Sequence, residues 1–135
     1  MSFSPYRDHY GGLMTSQTRI IVIDDDGVFC EHLRFVFAEA GYDVRSVSSA
    51  HEGIQAARDY QPDLAVIDWM LKADASGLDV ARALRQANPR IAILIITGYL
   101  DLPASERANF DGILEKPFHA RELLHTVSRI LSHYE

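Results

Sequence analysis

The stretch Ile20-Ile21-Val22-Ile23-Asp24-Asp25-Asp26 decides the fold, because four apolar residues run directly into three carboxylates. A short apolar run with β-branched residues predicts a strand buried on both faces of a parallel sheet. Three acids at the end of such a strand repel one another. Like charges within roughly 4–6 Å raise each other's pKa unless positive charge sits among them. The pattern predicts a bound hard cation, and oxygen-only ligands favour Mg²⁺ or a similar ion.

Downstream, Phe29, Leu33, Val36, Phe37 and Ala40 fall at helical spacing, and Gly41 marks the stop. Tyr42-Asp43-Val44-Arg45-Ser46-Val47 alternates and reads as a half-buried strand. Ser48 and Ser49 offer caps for a helix over about 50–60, with Ile54, Ala57 and Tyr60 inward, which Gln61-Pro62 ends. Asp63-Leu64-Ala65-Val66-Ile67-Asp68 is a third strand, again ending in a carboxylate. Residues 69–76 form a loop, and Leu78, Ala81 and Leu84 define a helix that closes near Asn88-Pro89. A fourth strand, 91–96, is the most hydrophobic and ends at Thr97-Gly98; a short helix lies within 103–108. Ile113-Leu114-Glu115 is a fifth strand that ends at Lys116-Pro117, and Leu123, Leu124, Val127, Ile130 and Leu131 make a final amphipathic helix. Residues 1–18, with Pro5, Gly11-Gly12 and no apolar periodicity, read as a loose extension in which Met14 is an alternative start. Residues 19–135 read as one domain. Strands alternating with helices, the strands mostly uninterrupted apolar, predict a doubly wound parallel sheet covered on both faces.

Charge narrows the function further. Thirteen Lys and Arg against nineteen Asp and Glu leave a net charge of −6, which argues against a nucleic-acid surface. Cys30 is the only cysteine, so disulfides and thiolate metal sites within one chain are excluded, and it reads as a small apolar helix residue. The six histidines show no metal-ligand spacing. No apolar run approaches the roughly 18 residues of a membrane span, and no signal-peptide core is present, so a cytoplasmic protein is expected.

In an open parallel sheet, ligands bind outside the carboxyl ends of the strands. The polar residues lie at those ends: Asp24, Asp25 and Asp26 after the first strand, Asp68 after the third, Thr97 after the fourth, Lys116 after the fifth. A lone Asp at a strand end is usually a turn or cap residue; four strands delivering charge or a hydroxyl to one rim form a more specific pattern. The set suits phosphoryl transfer. A carboxylate can be the nucleophile that forms an aspartyl-phosphate, and the surrounding groups position and neutralise the transferred group. A lysine ammonium, a threonine hydroxyl and carboxylate-held Mg²⁺ share that task, and Gly98 lets backbone approach closely. Asp26 matches no metal ligand and reads as a helix N-terminal residue favoured by the macrodipole.

On these residues the chain resembles a response-regulator receiver domain over about 19–133. The motifs that carry the likeness are Ile-Asp-Asp-Asp (23–26), Asp63-Leu-Ala-Val-Ile-Asp68, Ile-Ile-Thr-Gly (95–98) and Glu-Lys-Pro-Phe (115–118). The resemblance implies a flavodoxin-like five-stranded sheet with strand order 2-1-3-4-5. It implies Asp68 as phospho-acceptor, Asp25 as direct Mg²⁺ ligand with Asp24 in support, and the Met70 backbone carbonyl as the remaining protein ligand. Thr97 becomes the switch hydroxyl and Lys116 the phosphoryl-binding ammonium, with a cis bond at Lys116-Pro117. The implied partner is a histidine kinase or histidine phosphotransfer protein, with no direct nucleic-acid or membrane contact, and a homodimer stays open. The implied role is signalling rather than enzymatic turnover.

Three departures from the family pattern bear on the switch. The position three before Lys116, often aromatic, is Ile113. Thr97 and Lys116 are 116 − 97 = 19 residues apart, short for the family by about one helical turn, so the fourth helix should be truncated. The loop after Asp68 lacks the usual proline and is one residue longer, which resembles hybrid-kinase or stand-alone phosphorelay receivers more than transcription factors. Trp69 is either core or a gate to the acyl phosphate. Two alternatives remain: a receiver-like docking module that works without phosphorylation, and a haloacid-dehalogenase-type phosphatase read from Asp24-Asp25-Asp26-Gly27-Val28. The latter lacks an acidic pair after Lys116 and leaves Asp68 without a role.

Overall fold

Strands and helices alternate through the computed structural model, which describes residues 17–69, 77–98, 102 and 104–133. In chain order they are β1 (Arg19–Ile23), α1 (Gly27–Glu39), β2 (Asp43–Val47), α2 (Ala50–Asp59), β3 (Leu64–Asp68), α3 (Gly77–Ala87), β4 (Ala92–Thr97), α4 (Ala104–Arg107), β5 (Gly112–Glu115) and α5 (Ala120–Ser132). The strands form one sheet in the order β2-β1-β3-β4-β5, every pair parallel. This is the doubly wound, flavodoxin-like arrangement expected from the sequence.

The pleat divides the apolar residues between two cores. Ile20 and Val22 of β1 pack with Leu33 and Phe37 of α1 and with Leu123 and Val127 of α5. Ile21 and Ile23 turn to the other face and pack with Ala57 of α2 and with Val80 and Leu84 of α3. Both sets are buried, as are all six residues of β4. Each fully buried Ile or Leu contributes roughly 1.5–3 kcal/mol relative to an exposed one. Thr126 of α5 is also buried, a polar residue that the periodicity of the helix did not single out.

Local chemistry sets the helix ends. Asp26 caps α1, its Oδ1 accepting from the Val28 and Phe29 N–H groups at 3.1 Å each, the helix-terminal role expected of it. At the other end Gly41 takes φ 97°, the Tyr42 N–H bonds the Phe37 carbonyl, and the Gly41 N–H bonds the Ala38 carbonyl. Tyr42 then meets Phe37 edge-on at 6.0 Å, completing a Schellman motif with its apolar contact. Ser49 caps α2 by accepting from the Glu52 N–H, while Glu52 reaches back to Ser48. Gly53 sits inside α2, where Ala would form helix better by about 1 kcal/mol. A Cβ there would lie 2.5 Å from Ile23 Cδ1, so the helix runs too close to β1 for any larger residue without a shift.

The edges depart from the simple pattern. In β2 only Arg45 is exposed and its neighbours are half-buried, so the strand does not alternate cleanly. Tyr60 covers this edge: its hydroxyl donates to the Asp43 carbonyl at 2.9 Å, and the Arg45 guanidinium lies 4.0 Å from its ring centroid. Among the described residues α4 is a four-residue turn, as the short Thr97–Lys116 separation predicts. Beside it, Asp111 Oδ2 accepts from the Ile93 N–H at 2.7 Å and from Arg85 at 3.1 Å, and Arg85 also donates to the Asn109 carbonyl. Trp69 and Phe110, both 8% exposed, meet edge-on at 5.9 Å, which makes Trp69 a core residue. No helix among the described residues is long and apolar enough to cross a membrane.

Candidate functional site

The carboxyl ends of the strands are stitched together one step beyond their regular ladders. The Asp24 N–H donates to the Val47 carbonyl at 3.2 Å, the Trp69 N–H to the Ile96 carbonyl at 2.8 Å, and the Lys116 N–H to the Thr97 carbonyl at 2.8 Å. Residues distant in sequence are thereby held on one rim by backbone hydrogen bonds rather than by flexible side chains.

On that rim, carboxylate oxygens of Asp24, Asp25 and Asp68 all lie within 4.8 Å of one another. Asp24 is buried, 2% exposed, and Asp25 and Asp68 are half-buried. The Lys116 ammonium stands 4.0 Å from Asp24 Oδ2, and the Asp26 N–H donates to Asp24 Oδ1 at 2.9 Å. These four residues, with Asp26, Gly27 and Val28 at the start of α1, line one open cleft. Met70 lies outside the described residues, as does the rest of the 70–76 loop.

Burial pushes the Asp24 carboxyl above its ordinary range, and the nearby Asp68 and Asp25 charges push the same way. The Asp26 N–H and the Lys116 charge oppose this without cancelling it. A cluster of three carboxylates with one ammonium carries unbalanced negative charge, and its donor set is all oxygen. Such a set fits a hard divalent cation, with Asp24, Asp25 and Asp68 as the side chains able to hold it.

Thr97 is placed differently from the acids. It is the last residue of β4, buried, and one position beyond Ile96, the register partner of Asp68. Ile93 and Ile95 belong to the core under α2 and α3, so the pleat carries Thr97 to that side, and it is not among the described residues lining the cleft. A Cβ on Gly98 would meet no protein atom within 4 Å, so packing inside the protein gives no reason for glycine there. Cys30, beneath the site, donates its thiol proton to the Asp24 carbonyl at 3.2 Å. Burial above all, with the Asp24, Asp26 and Glu31 charges, pushes that thiol up to about 11, so it stays protonated and structural. The strand-end motifs missed Phe29: its ring lies 4.3 Å from the Lys116 ammonium, although its helical spacing marked it only as a core-facing residue.

The family model for the response regulator receiver domain matches residues 20–128. This chain belongs to that family. The receiver is 31% identical over 112 residues to the DNA-binding response regulator MtrA of Mycobacterium tuberculosis, covering 82% of this chain and 49% of that one. It is 27% identical over 116 residues to the cell cycle transcriptional regulator CtrA of Caulobacter vibrioides, covering 84% of this chain and 50% of that one. It thus spans about half the length of these curated relatives. Among solved structures it superposes on a CheY-like response regulator receiver domain protein from Methanospirillum hungatei with a TM-score of 0.81 and 26% identity, covering 88% and 97% of the two chains. A response regulator receiver protein from Sinorhizobium medicae gives 0.77 and 30%, covering 89% and 98%. The receiver is therefore a module of two-component signalling. Family membership removes the phosphatase alternative, which had no use for the Asp68 that lies in the carboxylate cluster.

Proposed function

We propose that this receiver takes a phosphoryl group onto Asp68 from a histidine kinase or histidine phosphotransfer protein, and that the acquired charge switches its binding to a partner. One observation carries the reading: three carboxylates within 4.8 Å of one another share a cleft with the Lys116 ammonium, on the rim where β3 presents Asp68. An Asp68 carboxylate oxygen attacks the phosphorus of a phosphohistidine. The new O–P bond forms as the P–N bond breaks, and the imidazole leaves and takes up a proton, giving an acyl phosphate on Asp68. Mg²⁺ would be held by Asp24, Asp25 and Asp68, with the Met70 carbonyl as the further ligand that the family resemblance implies, and would neutralise the phosphoryl oxygens. Lys116 pairs with a phosphoryl oxygen through its ammonium. Thr97 donates its hydroxyl to another, and this draws the end of β4 toward the new group. The added charge of about −1.5 to −2 biases the receiver between two states that a partner distinguishes. The chemistry is self-catalysed and stoichiometric, so the role is signalling in the cytoplasm rather than enzymatic turnover.

Incubation with MgCl₂ and acetyl phosphate tests this. Intact mass should rise by one PO₃H group in the wild type and not in Asp68→Asn. An unchanged wild-type mass would favour a docking module that works without phosphorylation.

A further inference from the structure

Lys116 does not reach into the cleft unsupported. Its ammonium lies 4.3 Å from the centre of the Phe29 ring and 4.0 Å from Asp24 Oδ2. Phe29 is half-buried in the first turn of α1, at the border of the core shared by α1 and α5. Phe118 meets its ring edge-on, with centroids 6.1 Å apart and planes at 70°. Phe118 follows Lys116 by two residues across the cis Lys116–Pro117 bond. The segment that carries the lysine therefore also braces the ring beneath it.

We propose that Phe29 is a positioning residue for Lys116: its ring face holds the ammonium over the cleft and so speeds phosphoryl transfer to Asp68. The inference rests on the reading of Asp68 and Lys116 given above. A lysine head is a strongly hydrated point charge on a flexible four-carbon stem, so an unsupported one spends much of its time turned into water. Two kinds of group could hold it. A carboxylate would do so by ion pairing, which offsets the positive charge that a phosphoryl oxygen needs. Asp24 already draws on that charge. The negative face of an aromatic ring attracts the ammonium without forming an ion pair, so the charge stays available. Leucine at the same position would fill similar space and touch the lysine stem, yet it would offer the ammonium nothing.

The test follows phosphorylation of the full chain by acetyl phosphate and MgCl₂ against time, by intact mass. Phe29→Leu should slow the reaction about 3- to 10-fold, the span of a partly desolvated cation–π contact. Phe29→Tyr, which keeps the ring face, should run within about twofold of wild type by the same contact energy. In a Lys116→Ala background, Phe29→Leu should cause no further loss, because a residue acting through the ammonium has nothing left to act on. A wild-type rate in Phe29→Leu would overturn the inference. So would an equal fold-loss in the Lys116→Ala background, or a Phe29→Tyr rate as low as that of Phe29→Leu, since either would make Phe29 a packing residue only. No mass gain in the wild type would overturn the Asp68 reading itself and this inference with it. Mass gain with an unaffected Phe29→Leu would remove the Phe29 role alone.

Discussion

Replacing Asp24 with Asn should make the metal-free protein more stable, although the residue is buried and belongs to the candidate site. Asn has the same shape and keeps an oxygen to accept from the Asp26 N–H, now at 2.9 Å. What disappears is a charge that is 2% exposed, held within 4.8 Å of carboxylate oxygens on Asp25 and Asp68 and 4.0 Å from the Lys116 ammonium. At an effective dielectric of about 20, each like-charge pair costs roughly 3.5 kcal/mol and the ammonium returns roughly 4. In bulk water each figure falls to about 1 kcal/mol. Asp25 and Asp68 are half-buried and Lys116 is about a third exposed, so screening brings the net repulsion to about 1–2 kcal/mol. For a chain of this size that gain is about 4–8 °C in Tm.

The pH dependence has a definite sign. The folded Asp24 carboxyl is raised above 3.8, chiefly by burial. The stability it contributes is fully present below that value and is lost as pH rises through its folded pKa. Asn carries no such titration, so the advantage of Asp24→Asn should grow as pH climbs from below 3.8 toward neutrality. MgCl₂ should reverse the order. Wild type gains about 2.7 kcal/mol when the free ion is a hundredfold above its Kd, and the variant gains less. Urea unfolding in EDTA and in MgCl₂, followed by emission from Trp69, the only tryptophan, measures both. An Asp24→Asn protein less stable than wild type in EDTA would refute the reasoning, because the lysine pair would then outweigh burial and both repulsions.

Other outcomes follow from single contacts. Asp111→Ala leaves the Ile93 N–H without its 2.7 Å side-chain acceptor and removes the 3.1 Å partner of Arg85, which keeps its bond to the Asn109 carbonyl; stability should fall by about 2–3 kcal/mol, with faster hydrogen exchange at the Ile93 amide. Cys30, 5% exposed and with its thiol pushed up to about 11, should resist iodoacetamide at neutral pH in the folded protein and react on adding urea; labelling at equal rates in both states would contradict the described burial. Gly41→Ala forces a side chain into φ 97° at the end of α1 and should cost about 1–2 kcal/mol in urea unfolding.

Much of this receiver was determined along the chain itself. Uninterrupted apolar strands such as 91–96 declare a sheet buried on both faces, because no alternation is needed when neither face meets water. Helix start and stop signals were equally local, since Asp26, Ser49 and Gly41 act through their own backbone neighbours. The carboxylates were legible too: a charge at the end of an apolar strand can only lie on the rim of the sheet. The truncated α4 followed from counting residues between Thr97 and Lys116. Pairwise geometry was not written there. Nothing in the spacing says that Phe29, on a core-facing stripe, lies 4.3 Å under the Lys116 ammonium, or that Trp69 packs against Phe110. Nor does it say that Thr97 takes the same face of β4 as Ile93 and Ile95 of the α2/α3 core, while Asp24 and Lys116 line the cleft. Periodicity records which face a residue takes; only the superposition of separate strands and helices decides which neighbour it meets there.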